Sequence, residues 1–83
     1  MNYPKVCSVK AIDDHTLLVV FENAEKRLYD ASPLFEREPF AMLRNWAFFK
    51  NVQVDKSGFA IYWNDEIDLS EYELWSKGTA IDN

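Results

Sequence analysis

The stretch Thr16-Leu17-Leu18-Val19-Val20-Phe21-Glu22 restricts the fold more than any other part of the chain. Its β-branched and large apolar residues favour an extended backbone. Successive side chains of a strand point to opposite faces, so Leu17, Val19 and Phe21 share one face while Leu18 and Val20 share the other. A run that is apolar on both sides suits a central strand, covered at least in part on both faces. Suitable neighbours flank it. Val6 to Ile12 alternates loosely and reads as a first strand, closed by the turn-forming cluster Asp13-Asp14-His15. On the other side Asn23-Ala24 reads as a two-residue hairpin loop leading into Glu25–Asp30. A left-handed backbone at Ala24 would cost roughly 1–2 kcal/mol relative to glycine. The first three strands therefore form an antiparallel meander.

The pattern changes after Asp30. Ser32-Pro33 and Glu38-Pro39 both place proline where it can open a helical turn, the first with a serine N-cap before it. Phe40, Leu43 and Ala47 recur at helical spacing, with Met42 and Trp46 on a neighbouring stripe, which predicts a short helix over 39–46. Such a helix is too short to persist without packing. Strand character returns over 48–55, and the turn Asp55-Lys56-Ser57-Gly58 leads into Phe59–Trp63, where Phe59, Ile61 and Trp63 point one way. Ile67 and Leu69 alternate with Glu66 and Asp68 in a further short extended piece. Ser70 and Glu73 form a capping box, in which each side chain satisfies the other's free backbone N–H. With Glu71 at the N-terminus, Lys77 near the C-terminus and Gly78 at the C-cap, they predict a second helix over about 70–77 that docks through Leu74 and Trp75. The reading is an α+β fold with an antiparallel sheet of four to six strands and two short helices, in the order β-β-β-α-β-β-(β)-α. It treats residues 1–83 as one domain, ordered over about 3–78, with a tail at 79–83 that frays.

At 83 residues the chain leaves much of its surface exposed even when folded, so it needs an apolar-rich core. Thirteen aromatics, three of them tryptophan, supply it. A net charge of −5 opposes attraction to phosphate backbones and anionic membranes. No apolar run approaches the ~18 residues that span a bilayer. The opening residues, Met1 to Lys5, hold no apolar export segment, and a lone Cys7 cannot form an internal disulfide. The expectation is a cytoplasmic protein that binds neither membrane nor nucleic acid directly.

Chemistry-bearing motifs are few. Cys7 and His15 are the sole thiol and imidazole, and eight extended residues at 3.3 Å each separate them by roughly 26 Å, too far for a dyad. Gly58 and Gly78 stand twenty residues apart, so neither a dinucleotide fingerprint nor a phosphate-binding loop can be written. Asp65, Glu66, Asp68, Glu71 and Glu73 fall within nine residues free of Lys, Arg and His. That stretch lacks the alternating acids and central glycine of a calcium loop and the soft ligands of a transition-metal site. No catalytic, cofactor-binding or metal-binding residue is therefore assigned. The candidate partner-binding residues are Trp63, Asp65, Glu66 and Asp68, an acidic segment beside an aromatic.

Tyr3-Pro4-x-Val6-x-x-Val9-x-Ala11 and Leu17-x-Val19-x-Phe21-x-Asn23-x-Glu25-x-Arg27-x-Tyr29-Asp30 together resemble a widespread family of small bacterial domains of unknown function, DUF2442. Ser32-Pro33-Leu34, Phe49-x-x-Val52-x-Val54, Ile61-x-Trp63 and Ile67-Asp68-Leu69 continue the likeness to about residue 78. Ala24 stands where the family pattern suggests glycine. The resemblance implies a small α+β fold and a bacterial origin, and it brings no catalytic residues. It also implies a regulatory or partner-binding role, since relatives occur alone, fused to helix-turn-helix domains, or beside a partner gene in an antitoxin-like arrangement. The leading expectation is a non-enzymatic protein-interaction module acting with a neighbouring gene product. The alternatives are a small-molecule binder or enzyme with a pocket between sheet and helix, and a homo-oligomer joined through sheet edges.

Overall fold

The computed structural model describes residues 3–81. The strand that dominates the sequence, Thr16–Phe21 (β2), lies between Val6–Ala11 (β1) and Lys26–Asp30 (β3), antiparallel to both. Leu17, Val19 and Phe21 are buried, and Leu18 and Val20 on the opposite face are half-buried. The register between β1 and β2 shifts between Val6 and Ser8, so Cys7 is bulged out and exposed. Thr79–Ile81 (β7) pairs with β3 and completes a four-stranded antiparallel sheet in the order β1-β2-β3-β7. This corrects the expected fraying tail: Leu28 pairs with Thr79 and Lys26 with Ile81, and the backbone of β3 holds the segment in place. Residues 82 and 83 of that tail, like Met1 and Asn2, lie outside the described residues.

The other strands form a separate sheet. Gln53–Val54 (β4), Ala60–Tyr62 (β5) and Asp68–Ser70 (β6) pair antiparallel in chain order. The two sheets meet where the Val6 N–H donates to the Gly58 carbonyl at 2.8 Å. Gly58 has φ +79°, and a Cβ there would lie 2.9 Å from the Lys5 Cβ, so both the turn and the contact between sheets require glycine.

The middle segment differs from the expected helix over 39–46. Ser32–Glu36 and Glu38–Arg44 are 3-10 helices, each opened by its proline, and Trp46–Phe49 is a separate single-turn helix (α1). Arg37 and Asn45 are extended and break the run. The Asn45 side chain accepts from the Ala47 N–H at 2.9 Å and starts α1 anew, which draws Phe48 and Phe49 into helix instead of the expected strand. The strand predicted over 48–55 contracts to β4. Short helices of this kind are held by packing, and Leu34, Leu43 and Phe49 supply it, each buried.

Glu71–Lys77 (α2) forms as predicted, with Leu74 fully buried and Trp75 packed against the core. Half of the expected capping box is present. Ser70 Oγ accepts from the Glu73 N–H at 3.1 Å, but Glu73 turns away and accepts from the Tyr29 hydroxyl at 2.8 Å. Gly78 caps the helix with extended backbone (φ −74°, ψ 150°) that any residue can adopt, and glycine is needed because a Cβ there would meet the Leu74 carbonyl and the Arg27 side chain. Arg27 fastens this end. Its guanidinium lies 3.6 Å from the Trp75 ring centroid, donates to the Trp75 carbonyl and pairs with Glu25. Among the described residues no helix is long and apolar enough to cross a membrane.

The β2–β3 turn has three loop residues rather than two. The Ala24 N–H donates to the Phe21 carbonyl and the Phe21 N–H to the Glu25 carbonyl, both at 2.9 Å, with Ala24 at φ +71°. A type I turn followed by one left-handed residue has this form. Ala24→Gly is expected to stabilise the fold by about 1 kcal/mol and raise Tm by roughly 4–8 °C. Thermal denaturation checks it, and an unchanged or lowered Tm would count against the strain at Ala24.

Candidate functional site

The acidic segment folds as a tight loop anchored from below. Asn64 Oδ1 accepts from the N–H groups of Glu66 and Ile67 at 2.9 and 2.8 Å, and the Trp63 N–H donates to the Ile67 carbonyl at 2.9 Å. These bonds turn the chain back within five residues and leave the Asp65 and Glu66 side chains exposed. Asp68 is exposed on β6, while Ile67 and Leu69 on either side of it are buried, as the alternation predicts.

Trp63 is placed differently from its acidic neighbours. It is buried, stacks on Phe49 with ring centroids 5.9 Å apart, and donates its indole N–H to the Phe49 carbonyl at 2.8 Å. The structure therefore brings Asp65, Glu66 and Asp68 to the surface and sets Trp63 beneath them as the loop's anchor. The strand alternation that groups Ile61 with Trp63 already contains this answer. Phe59, of the same parity, lies outside β5 and is exposed, with Lys5 Nζ 5.0 Å from its ring centroid.

A depression flanks the loop on each side. One, of about 300 Å³, is lined by Asp55, Tyr62, Asp65 and Asp68. The other, of about 590 Å³, is a groove between the loop and the second 3-10 helix, lined by Pro39, Met42 and Ile67 together with Glu38 and Glu66. Met42 is 54% exposed. Among the described residues none of Glu38, Asp65, Glu66 and Asp68 has an ion-pair partner. Asp55 differs, because the hydroxyl and N–H of Ser57 hold its carboxyl below the usual range. Glu38, Pro39 and Met42 were missed from the sequence, since α-helical periodicity is the wrong template for a 3-10 turn and misplaces Met42 on its surface.

A second cluster lies in the β1–β2 turn. Asp13 Oδ1 accepts from the N–H groups of His15 and Thr16 at 3.0 and 2.8 Å, and Asp14 Oδ1 lies 2.7 Å from His15 Nδ1. All three residues are exposed, and the bonds among them build the turn. The hydrogen bond to Asp14 raises the His15 pKa above its ordinary value of 6.5. Cys7 lies at the other end of β1 and has no part in this cluster.

A family model described as "Protein of unknown function (DUF2442)" matches residues 6–80. No curated protein and no solved structure matches the chain.

Trp63→Phe removes the donor to the Phe49 carbonyl and is expected to destabilise the fold by roughly 1–3 kcal/mol, seen as a lower urea midpoint. A midpoint equal to wild type would show that the indole N–H anchors nothing. For His15 the sign follows from its raised folded-state pKa: the Asp14 contact stabilises fully below the unfolded value, and that stabilisation fades as pH rises through the folded value. Asp14→Asn should bring the His15 NMR titration midpoint down towards 6.5, and an unmoved midpoint would refute the assignment.

Proposed function

The chain belongs to the DUF2442 family, and from that premise we propose a non-enzymatic interaction module that docks a basic, apolar-bearing segment of a partner protein. The groove lined by Glu38 and Glu66 is the observation that carries this reading. Exposed Met42 and Pro39 offer an adaptable apolar surface, and the Glu38 and Glu66 carboxylates that line the groove with them have no ion-pair partner among the described residues. A segment with an aliphatic or aromatic residue flanked by Lys or Arg satisfies both features at once. Asp65 and Asp68 extend the negative field past the loop, and the chain's net charge of −5 steers cationic partners towards it. The antitoxin-like pairing implied by the family resemblance makes a neighbouring gene's product the first partner to try.

The test captures partners from the native host with wild type, Met42→Ala and a Glu38→Lys/Glu66→Lys double variant, then titrates each variant with the purified captured protein. Charge reversal in a folded variant is expected to weaken binding at least about tenfold, and raising salt should weaken wild-type binding in the same direction. Equal affinity of the folded double variant, or binding indifferent to salt, would overturn the proposal.

A further inference from the structure

A different region of the surface carries a second site. The β3–β7 ladder ends at the pair Leu28–Thr79, so the last residues of β3, Tyr29 and Asp30, have no strand beside them on that edge. The chain comes from α2 through Gly78 into β7 at this point, and a cavity of about 600 Å³ opens there, bounded by β3, α2 and the first 3-10 helix. That volume falls in the range of about 300–1,000 Å³ usual for small-molecule sites. The Ala31 N–H donates to the His15 carbonyl on the β2 side, so by the alternation of an antiparallel ladder the main-chain groups of Asp30 face the cavity.

Four charged side chains line it, and they balance. Arg37 and Lys77 are exposed, and among the described residues neither has an ion-pair partner. Glu73 is half-buried and fixed through one oxygen by the Tyr29 hydroxyl at 2.8 Å. Asp30 is fixed through one oxygen by the N–H and hydroxyl of Ser32 at 2.9 and 2.7 Å. Each carboxylate thus keeps a second oxygen for a ligand, and each cation keeps all its donors. A simple anion would gain from Arg37 and Lys77 but be opposed by Asp30 and Glu73. A simple cation meets the converse. Pro33, Leu34 and Leu28 add an apolar wall.

We propose that this cavity binds a small zwitterion of the α-amino acid type with an apolar side chain. Its carboxylate faces Arg37 and Lys77, its ammonium faces Glu73 and Asp30, and its side chain lies on the apolar wall. The site is independent of the acidic groove, since the two share no lining residue.

The experiment is an amide NMR titration of the isotope-labelled full chain with L-leucine, with two analogues that each lack one charge, 4-methylpentanoate and 3-methylbutylamine, and with inorganic phosphate. Leucine is expected to shift the amides of Tyr29, Asp30, Lys77 and Thr79 along a saturable curve with a Kd of about 0.1–5 mM, and each analogue and phosphate should bind at least about tenfold more weakly. Arg37→Gln should weaken leucine but strengthen 3-methylbutylamine, which loses a like charge; Glu73→Gln, which keeps an acceptor for Tyr29, should weaken leucine but strengthen 4-methylpentanoate for the same reason. Absence of a saturable leucine shift at these amides, or binding of 4-methylpentanoate or phosphate as tight as leucine, would overturn the proposal.

Discussion

Among the described residues, fifteen apolar or aromatic side chains make one buried cluster, and both sheets close on it with no charged side chain inside. The two polar atoms that large aromatics carry to its edge therefore need partners, because an unpaired one costs about 1–3 kcal/mol against a total stability of roughly 5–15. Each need is met by one bond with long reach. The Tyr29 hydroxyl takes Glu73 and ties the first sheet to α2; the Trp63 indole takes the Phe49 carbonyl and ties the second sheet to α1. Both bonds have consequences at the surface. The first takes Glu73 out of its capping box and aims it at the cavity beside β3, and the second fixes the floor under the acidic loop.

Arg27 shows the same economy at the other end of α2. Its side chain comes from the inner face of β3, stacks on Trp75 and donates to the carbonyl of that residue, while Gly78 leaves room for the approach. A helix of seven residues has little intrinsic persistence, so its position depends on Leu74 in the core, Ser70 at one end and Arg27 at the other. The register of β7 follows from where that helix stops, and so does the place where the cavity opens.

The features legible in the sequence were those set by short-range physics. The alternation in β2, the turn at Asp13–His15, the Ser70 cap and the alternation of Ile67 and Leu69 each depend on residues within one or two turns of chain. Those that escaped depend on distant partners. Nothing near Thr79 in sequence says that β3 will hold it, since the pairing residues are Lys26 to Leu28. The split into two sheets turns on the fit of Gly58 against Lys5 and Val6. The 3-10 geometry over 32–44 was hidden because Phe40 and Leu43 fit a period of three as well as one of 3.6. The same ambiguity concealed the groove, while the acidic loop beside it, Asp65, Glu66 and Asp68, was plain.

That irregular segment is where the two proposed sites come together. The first 3-10 helix and Arg37 wall the cavity beside β3, and the second, beginning at Glu38, walls the acidic groove. Arg37 and Glu38 are adjacent, and the backbone between the two short helices is extended at Arg37. Arg37 lines the cavity and Glu38 the groove, so a single peptide unit separates the two linings. Each 3-10 helix is held by one buried leucine, Leu34 or Leu43, with Phe35 or Phe40 packed against the core beside it. If both sites are occupied in turn, linkage requires any effect of a small ligand on partner affinity to be matched by an equal effect of the partner on the ligand. Arg37 and Glu38, adjacent in sequence, are where the linings of the two sites meet along the chain.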